Sequence, residues 1–337
     1  MNAVDWPALR ERLCALQEHI SARVRAARSC PDMDFAQIAG VTVADTIYQV
    51  DRISEAAICE WFDDQWPSAW PVQVVMEGLE EGEALTFPRG TPLSATVLKC
   101  LLDPIDGTRN LMYDKRSAWS LAALAPQRGE ATRLSDLVVA AMTELPVTKQ
   151  TLADQISGVR GCGPDGIVAQ RIDLGTNHRE PVTLRPSSAG DFRHGFASFA
   201  RFFPEGKALT ARIEEELWET LYGLGLSASP LVFDDQYIST GGQIYELLAG
   251  HDRMIGDLRP LVLARLGYST ALVCHPYDIC TAFLLREAGG VVESPGGGPV
   301  EAPLDTTSPV AWIGLANETL AAQIRPVLHR LLAKYLA

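Results

Sequence analysis

The sequence lacks the basic excess, the paired cysteines and the long apolar runs that mark several classes of protein. Lysine and arginine number 29 against 42 acidic residues, and the net charge of -13 argues against nucleic acid as the main partner. The seven cysteines include no Cys-x-x-Cys pair, so no zinc ribbon is expected. We expect the cysteines to be reduced thiols. No apolar run reaches the length of a membrane span. We therefore expect a cytoplasmic protein that binds neither membrane nor nucleic acid.

Apolar periodicity predicts two helices at the start of the chain. Leu9–Val24 carry the apolar face of the first helix, and a second helix is predicted over Ile47–Trp61. The second helix is expected to carry two acids, Asp45 and Asp51. Of these two acids, only Asp51 is considered for the site below.

Two short β-like runs each end in a carboxylate. Residues 72–76 lead into Glu77, and residues 97–102 lead into Asp103. Asp106 follows three residues later, in the segment Asp-Pro-Ile-Asp-Gly-Thr. Because α/β proteins place ligand sites at the carboxyl ends of strands, we expect these acids to share a site.

The segment from Asp103 to Thr108 suits a metal site beside a phosphate cradle. Pro104 cannot donate a backbone hydrogen bond, so it is predicted to interrupt the strand. An Asp-x-x-Asp turn can aim both carboxylates at one point. Gly107 lets the backbone approach a ligand, and Thr108 opens a natural anion site. Alternatively, the segment is a strand–turn–helix joint in which Asp106 or Thr108 caps a helix.

The rest of the chain divides by composition. Its 337 residues are enough for two domains. Residues 117–145 are predicted to form further strands around a turn, and residues 146–195 are polar and rich in glycine, proline and arginine. We place a boundary near Ala189, which gives an N-terminal domain of residues 1–189 and a C-terminal domain of residues 190–337.

Further acids extend the candidate site. Asp278 lies just before a helix rich in small residues, and Asp51 lies on an early helix. Four or five converging carboxylates would repel each other unless cations were present. Oxygen ligands of this kind suit Mg²⁺ or Mn²⁺ rather than zinc. The alternatives are a solvated loop acid for Glu77 and a plain helix N-cap for Asp278.

Two motifs resemble the signatures of the inositol monophosphatase family, the lithium-sensitive, Mg²⁺-dependent phosphatase superfamily that includes fructose-1,6-bisphosphatases. DPIDGTRN, from Asp103, resembles the family's Asp-Pro-Ile/Leu-Asp-Gly-Thr/Ser signature. PYDICTAFLLREAGGVV, from Pro276, resembles its Trp-Asp-x-Ala-Ala signature followed by Glu-Ala-Gly-Gly. The resemblance implies a mixed α+β and α/β fold, a layered αβαβα sandwich. The DPIDGT strand would lie in the N-terminal domain, and the C-terminal domain would contribute Asp278.

The resemblance also implies an enzyme that hydrolyses a small phosphate monoester, such as an inositol or sugar phosphate. Water would be activated by two or three Mg²⁺ ions, with Mn²⁺ as a substitute. The implied metal ligands are Glu77, Asp103, the carbonyl of Ile105, Asp106 and Asp278.

The resemblance assigns further roles around the metals. Glu77 and Thr108 would orient the attacking water, and Asp51 would support Thr108. The N–H groups of Gly107 and Thr108 would bind phosphate oxygens. The turn that resembles in position the family's contact with substrate hydroxyls consists of Thr240, Gly241, Gly242 and Gln243.

The sequence departs from the family signatures at three positions. Tyr277 stands in place of tryptophan, Gly78 in place of a second glutamate, and Arg109 where a small residue is usual. Arg109 could reach the phosphate or a second acidic group on an anionic substrate. Alternatively, Arg109 pairs with Asp114 or points to solvent.

Different functions remain open at this level. A 3'(2'),5'-bisphosphate nucleotidase would need an adenine-stacking surface that the sequence does not reveal. The same motifs would also suit a fructose-1,6-bisphosphatase, or a protein that binds metal or phosphate without turnover. The basic segment with Arg193, His194 and Arg201 is either a rim for an anionic substrate or a solvated edge. His275 is expected to be structural, and the sequence leaves a homodimer open.

Overall fold

The computed structural model describes residues 4–28, 38–41, 46–78, 85–223, 225, 229–268 and 272–337. Asp45, which we expected on the second helix, lies outside these residues. The helices of the described residues are α1 (Trp6–Arg28), α2 (Gln49–Gln65), α3 (Thr108–Met112), α4 (Lys207–Tyr222), α5 (Thr240–Leu248), α6 (Arg259–Leu266), α7 (Pro276–Ile279), α8 (Phe283–Glu287) and α9 (Glu318–Leu336). The strands are β1 (Ile38–Val41), β2 (Thr46–Tyr48), β3 (Val72–Met76), β4 (Leu85–Phe87), β5 (Leu98–Asp106), β6 (Ala118–Pro126), β7 (Val139–Leu145), β8 (Leu152–Val159), β9 (Ile167–Asp173), β10 (Arg179–Pro181), β11 (Gly195–Phe199), β12 (Val232–Phe233), β13 (Asp252–Asp257), β14 (Val291–Glu293) and β15 (Trp312–Leu315).

An eight-stranded sheet carries the first half of the site. Its order is β10-β9-β8-β7-β6-β5-β3-β4, and β3 and β5 run parallel while the other neighbours run antiparallel. β5 is buried along its whole length, and its side chains alternate between the two faces. Leu98, Cys100 and Leu102 pack in the apolar cluster with α1 and α2, whereas Leu101 packs in the cluster on the opposite face.

A five-stranded sheet, in the order β12-β11-β13-β15-β14, carries the second half of the site. One apolar cluster joins Leu101 of the large sheet, Ile244 of α5, Leu284 of α8 and Trp312 of the small sheet. Beyond the small sheet, α4 and α9 close the fold with residues such as Leu217. The layers therefore run helix, sheet, helix, sheet, helix, and the predicted αβαβα sandwich is confirmed.

The predicted helices and strands of the N-terminal half are largely present. The apolar face at residues 9–24 belongs to α1, and residues 72–76 form β3. The second helix begins at Gln49 rather than residue 47, because residues 46–48 form β2. The interruption expected at Pro104 is wrong: β5 continues to Asp106, with an irregularity in its pairing to β6 between Asp103 and Asp106. Among the described helices, none is both long and apolar enough to cross a membrane.

The polar segment 146–195 contains two long strands that its composition did not reveal, β8 and β9. Ala189 lies after β10 and before β11, in the connection between the two sheets. The division at Ala189 stays a prediction, because one apolar cluster spans both sheets.

Candidate metal and phosphate site

Two parallel strands deliver the first carboxylates to one edge of the large sheet. Met76 at the end of β3 pairs with Leu102 of β5, so Glu77, which follows β3, lies beside Asp103 of β5. The backbone N–H of Glu77 donates to the carbonyl of Leu102 over 3.3 Å, which extends the pairing to Glu77 itself. The geometry expected from the strand ends is therefore present.

The Asp-Pro-Ile-Asp-Gly-Thr segment ends β5, turns at Gly107 and holds the Asp103 carboxylate from within. The N–H of Ile105 donates to Asp103 Oδ1 over 3.0 Å. Gly107 has a φ of 95°, and a Cβ at this position would lie 3.0 Å from the carbonyl oxygen of Ile238. Glycine is thus required here for both its conformation and its size, and α3 begins directly after it at Thr108.

Thr108 connects this turn to the early helix α2. Its hydroxyl donates to the carbonyl of Ile105 over 2.9 Å and lies 3.5 Å from Asp51 Oδ1. Asp51 is in the first turn of α2, where its other oxygen accepts the N–H of Tyr48 over 2.7 Å. The structure therefore brings Asp51 to Thr108, as the sequence predicts, and the catalytic role of the pair stays a prediction.

Three aspartates converge at the centre of the site. One carboxylate oxygen from each of Asp103, Asp106 and Asp278 lies within 4.8 Å of the other two. Asp103 and Asp106 are buried, and Asp278 sits in the first turn of α7, where it accepts the N–H of His275 over 2.5 Å. Glu77 lines the same cavity.

Burial and mutual repulsion disfavour the ionised forms of these acids. Burial raises the pKa of Asp103 well above its usual range, and the neighbouring charges of Glu77, Asp106 and Asp278 raise it further. Burial likewise raises the pKa of Asp278, with repulsion from Asp106 adding to it. The pKa of Asp106 is raised to about 6, again mainly by burial. A divalent cation among these oxygens would offset both effects, and an all-oxygen donor set fits Mg²⁺ or Mn²⁺.

The second half of the chain holds Asp106 in place. The hydroxyl of Ser239 donates to Asp106 Oδ2 over 2.8 Å. The N–H of Thr240 donates to Oδ1 over 3.2 Å, and the N–H of Gly241 donates to Oδ2. Ser239 is also the N-cap of α5, since its oxygen accepts the N–H of Gly242 over 2.9 Å. Asp106 therefore caps the N-terminal end of α5 together with Ser239.

The substrate contact expected of Gly241, Gly242 and Gln243 stays a prediction. All three are buried, and they lie against the interior instead of lining the cavity. A Cβ on Gly241 would come within 2.5 Å of Leu121, and one on Gly242 within 2.3 Å of the Tyr237 ring. The side-chain amide of Gln243 donates to the carbonyl of Tyr237 over 2.8 Å. The turn positions Asp106 and α5, which explains its need for glycine.

Arg109 lines the cavity directly after the Gly107–Thr108 pair. Its guanidinium lies 5.7 Å from the centre of the Tyr48 ring. Asp114, the alternative partner, accepts hydrogen bonds from the backbone and hydroxyl of Thr148 and lies 3.6 Å from Arg28. Arg109 therefore borders the cavity, and its contact with a substrate stays a prediction.

The basic segment is a structural edge rather than a rim of this cavity. Arg201 forms ion pairs with Glu214 and Asp234. Arg193 pairs with Asp191 at 3.5 Å, and neither arginine lines the cavity. The charges of Arg193 and Arg201 are thus offset by neighbouring acids.

His275 is the residue before α7 and is buried, as a structural histidine would be. Its Nδ1 lies 3.2 Å from the hydroxyl of Tyr277, and the two rings stack. Tyr277 itself lines the cavity in the position of the signature's tryptophan.

Several residues of the cavity wall were not expected from the sequence. They are Phe202, Phe203, Ser239 and Arg259. Ser239 carries a readable signal, because a serine before a helix start is a preferred N-cap. Phe202 and Phe203 follow the carboxyl end of β11, and that strand was not assigned from the sequence, so the strand-end rule could not select them.

Comparison with solved structures identifies the fold. No protein-family model and no curated protein matches the sequence. Fructose-1,6-bisphosphatase from Leishmania major in its holo form is similar at a TM-score of 0.67 and 12% identity, over 95% of this chain and 92% of that one. An inositol monophosphatase from Zymomonas mobilis is similar at 0.57 and 14% identity, over 98% and 99% of the two chains. The 2'AMP-bound SaIMPase-II is similar at 0.58 and 16% identity, over 97% and 98%.

These structures share the whole layered architecture with the chain described here. Each of the three alignments covers at least 92% of both chains. The fold is therefore that of the inositol monophosphatases and fructose-1,6-bisphosphatases, as the two sequence motifs implied.

Proposed function

We propose that the protein is a metal-dependent phosphatase of the inositol monophosphatase and fructose-1,6-bisphosphatase superfamily, which hydrolyses a small phosphate monoester. The observation that carries this proposal is the convergence of Asp103, Asp106 and Asp278 within 4.8 Å, beside the Gly107–Thr108 turn in one cavity. The fold shared with enzymes that act on phosphate esters supports it.

The donor set suits two or three Mg²⁺ ions, and Mn²⁺ would serve as well. Bound there, the ions would lower the pKa of a water and neutralise the charge of the leaving oxygen. The residues that would hold them are Glu77, Asp103, the carbonyl of Ile105, Asp106 and Asp278.

The remaining steps belong to the protein's own groups. Thr108 would orient the attacking water together with Glu77, and Asp51 would keep the Thr108 hydroxyl in position. The N–H groups of Gly107 and Thr108 would bind phosphate oxygens, since Gly107 admits a close approach. Ser239 and α5 keep the Asp106 carboxylate turned toward the other acids. Catalysis then rests on position and charge, as phosphoryl transfer requires.

The partner in this proposal is a phosphorylated metabolite in the cytoplasm. Inositol and sugar phosphates, fructose-1,6-bisphosphate and 3'(2'),5'-bisphosphate nucleotides remain the candidate esters. A protein that binds metal or phosphate without turnover is the alternative from another class.

Release of inorganic phosphate from a panel of monoesters, with and without Mg²⁺, tests the proposal. Asp103→Asn and Asp106→Asn should each lower turnover by about three orders of magnitude, because a charged metal ligand is lost. Asp64→Asn, an exposed aspartate on α2, is the matched control.

A second measurement is independent of turnover. Mg²⁺ should raise the melting temperature of the wild type and of the Asp64→Asn control but not of Asp103→Asn. Full turnover in excess chelator, or in the Asp106→Asn protein, would contradict the mechanism.

A further inference from the structure

The cavity that holds the carboxylates also has an aromatic wall, formed by Phe202 and Phe203. Phe202 and Phe203 are both half-buried, and their ring centres lie 6.0 Å apart with an angle of 84° between the planes. Both rings line the cavity that holds Asp103, Asp106 and Asp278.

The topology explains why these rings reach the site. β11 and β13 are parallel neighbours, so the residues after their carboxyl ends meet at one edge of the small sheet. The backbone before Phe202 is fixed on both sides. The N–H of Ala200 donates to Gly256 over 2.8 Å, and the N–H of Arg201 donates to the side chain of Gln236 over 2.8 Å.

The guanidinium of Arg259 lies against both rings. Its Nε and Nη2 donate to both carboxylate oxygens of Asp257, and Nη1 donates to the carbonyl of Leu272 over 3.1 Å. The guanidinium carbon lies 4.9 Å from the centre of the Phe202 ring and 5.5 Å from that of Phe203. The aromatic wall is therefore fixed before a ligand arrives.

Two polar side chains of the cavity, Arg259 and Ser239, are already engaged in hydrogen bonds. The Asp257 carboxylate is covered by Arg259, and the Ser239 hydroxyl donates to Asp106. A leaving group rich in hydroxyls would give up hydrogen bonds to water against the Phe202 and Phe203 rings. A flat ring would instead remove apolar surface from water and stack or pack edge-on.

We propose that the alcohol part of the substrate carries an aromatic or heteroaromatic ring, and that Phe202 and Phe203 bind this ring. This inference rests on the proposed phosphatase function. It goes further by naming the class of phosphate ester that the protein hydrolyses. A nucleoside monophosphate and an aryl phosphate share the required chemistry.

Phosphate release from adenosine monophosphates, phenyl phosphate and myo-inositol 1-phosphate tests the proposal and separates the two sources of the ring. The wild type should show the highest kcat/KM on a ring-bearing ester. Phe202→Ala and Phe203→Ala should each lower that value by roughly tenfold or more, as for other stacked bases, and should leave the inositol ester little changed. Phe202→Leu and Phe203→Leu keep apolar bulk for the case in which the alanine variants fail to fold, and they should show the same selective loss.

The control variant is Phe196→Ala. Phe196 is 43% exposed and lies 5.9 Å from Phe233, away from the cavity lining, so its loss should affect no ester. Preference for myo-inositol 1-phosphate, or an equal loss on all esters in the Phe202 and Phe203 variants, would overturn the proposal.

Calorimetric binding of adenosine monophosphate and myo-inositol 1-phosphate separates this inference from the function on which it rests. If no ester is hydrolysed and the ring-bearing ligand still binds more tightly, the phosphatase proposal fails and the aromatic subsite stands. If the protein hydrolyses esters but binds both ligands equally, the aromatic subsite fails and the phosphatase proposal stands.

Discussion

Replacing Ser239 with alanine should weaken both the fold and the candidate site, because this hydroxyl makes two buried hydrogen bonds. It donates to Asp106 over 2.8 Å and accepts from the N–H of Gly242 over 2.9 Å. A hydrogen bond to a charged group contributes about 1.5–3 kcal/mol, and loss of a serine N-cap costs about 1 kcal/mol. Thr240 and Gly241 continue to donate to Asp106, which offsets part of the loss. We expect the free energy of unfolding to fall by about 2–3 kcal/mol.

Urea denaturation at constant Mg²⁺ measures this change. Ser135→Ala is the matched control, because the Ser135 hydroxyl also donates to a carboxylate, Glu301, over 3.0 Å but is exposed. Its cost should stay within about 0.5 kcal/mol. The kcat/KM of Ser239→Ala should fall by about tenfold, since residues that orient metal ligands have effects of that size. If Ser239→Ala were no less stable than Ser135→Ala and kept full turnover, the positioning of Asp106 by α5 would be refuted.

Three further predictions concern the cavity and a buried acid outside it. Li⁺ should inhibit at concentrations on the order of millimolar at limiting Mg²⁺, as a weak monovalent competitor at a carboxylate site, and a flat Li⁺ titration would count against a site of the superfamily type. Arg109→Ala should raise KM roughly tenfold with little change in kcat, less so at high salt, and an unchanged KM on the best substrate would remove Arg109 from the substrate site. Burial and the charge of Glu246 raise the pKa of Asp252 from 3.8 to about 7, so the folded state binds this proton more tightly than the unfolded chain. The resulting stability is fully present below about pH 4 and is lost as the pH rises through about 7. In urea melts at a series of pH values, Asp252→Asn should remove up to about 4 kcal/mol of the wild type's fall in the free energy of unfolding. If the free energies of unfolding of wild type and Asp252→Asn fell in parallel with pH, the assignment would be contradicted.

The sequence could predict the part of the site that lies in short local motifs. Glu77 and Asp103 follow apolar runs that are readable in the sequence, and Asp106 and Gly107 follow within four residues of Asp103. A strand end followed by a glycine turn leaves few other conformations for such a segment. The layered fold then followed from the two motifs rather than from periodicity.

The residues that were missed depend on contacts between distant segments. Ser239 bonds to Asp106 across 133 positions of sequence, and no local pattern specifies that partner. The tight packing of Leu121 and Tyr237 against Gly241 and Gly242 excludes side chains there, and the sequence did not indicate that packing. β8 and β9 were missed because they bury polar residues such as Asp154, which accepts a hydrogen bond from Arg171. Such residues hide the alternation of apolar and polar side chains by which a strand is recognised.

The long-range hydrogen bonds of Asp106 also affect how the protein is made. Thr240 and Gly241 lie 134 and 135 positions after Asp106, so their N–H groups leave the ribosome well after β5 has been synthesised. Contacts of such high separation form late, because closing the loop between them is costly in entropy. During synthesis, Asp106 therefore lacks these two hydrogen-bond donors until α5 has been made. The N-terminal half should remain accessible to chaperones until α5 docks, and metal binding should follow that docking instead of guiding it.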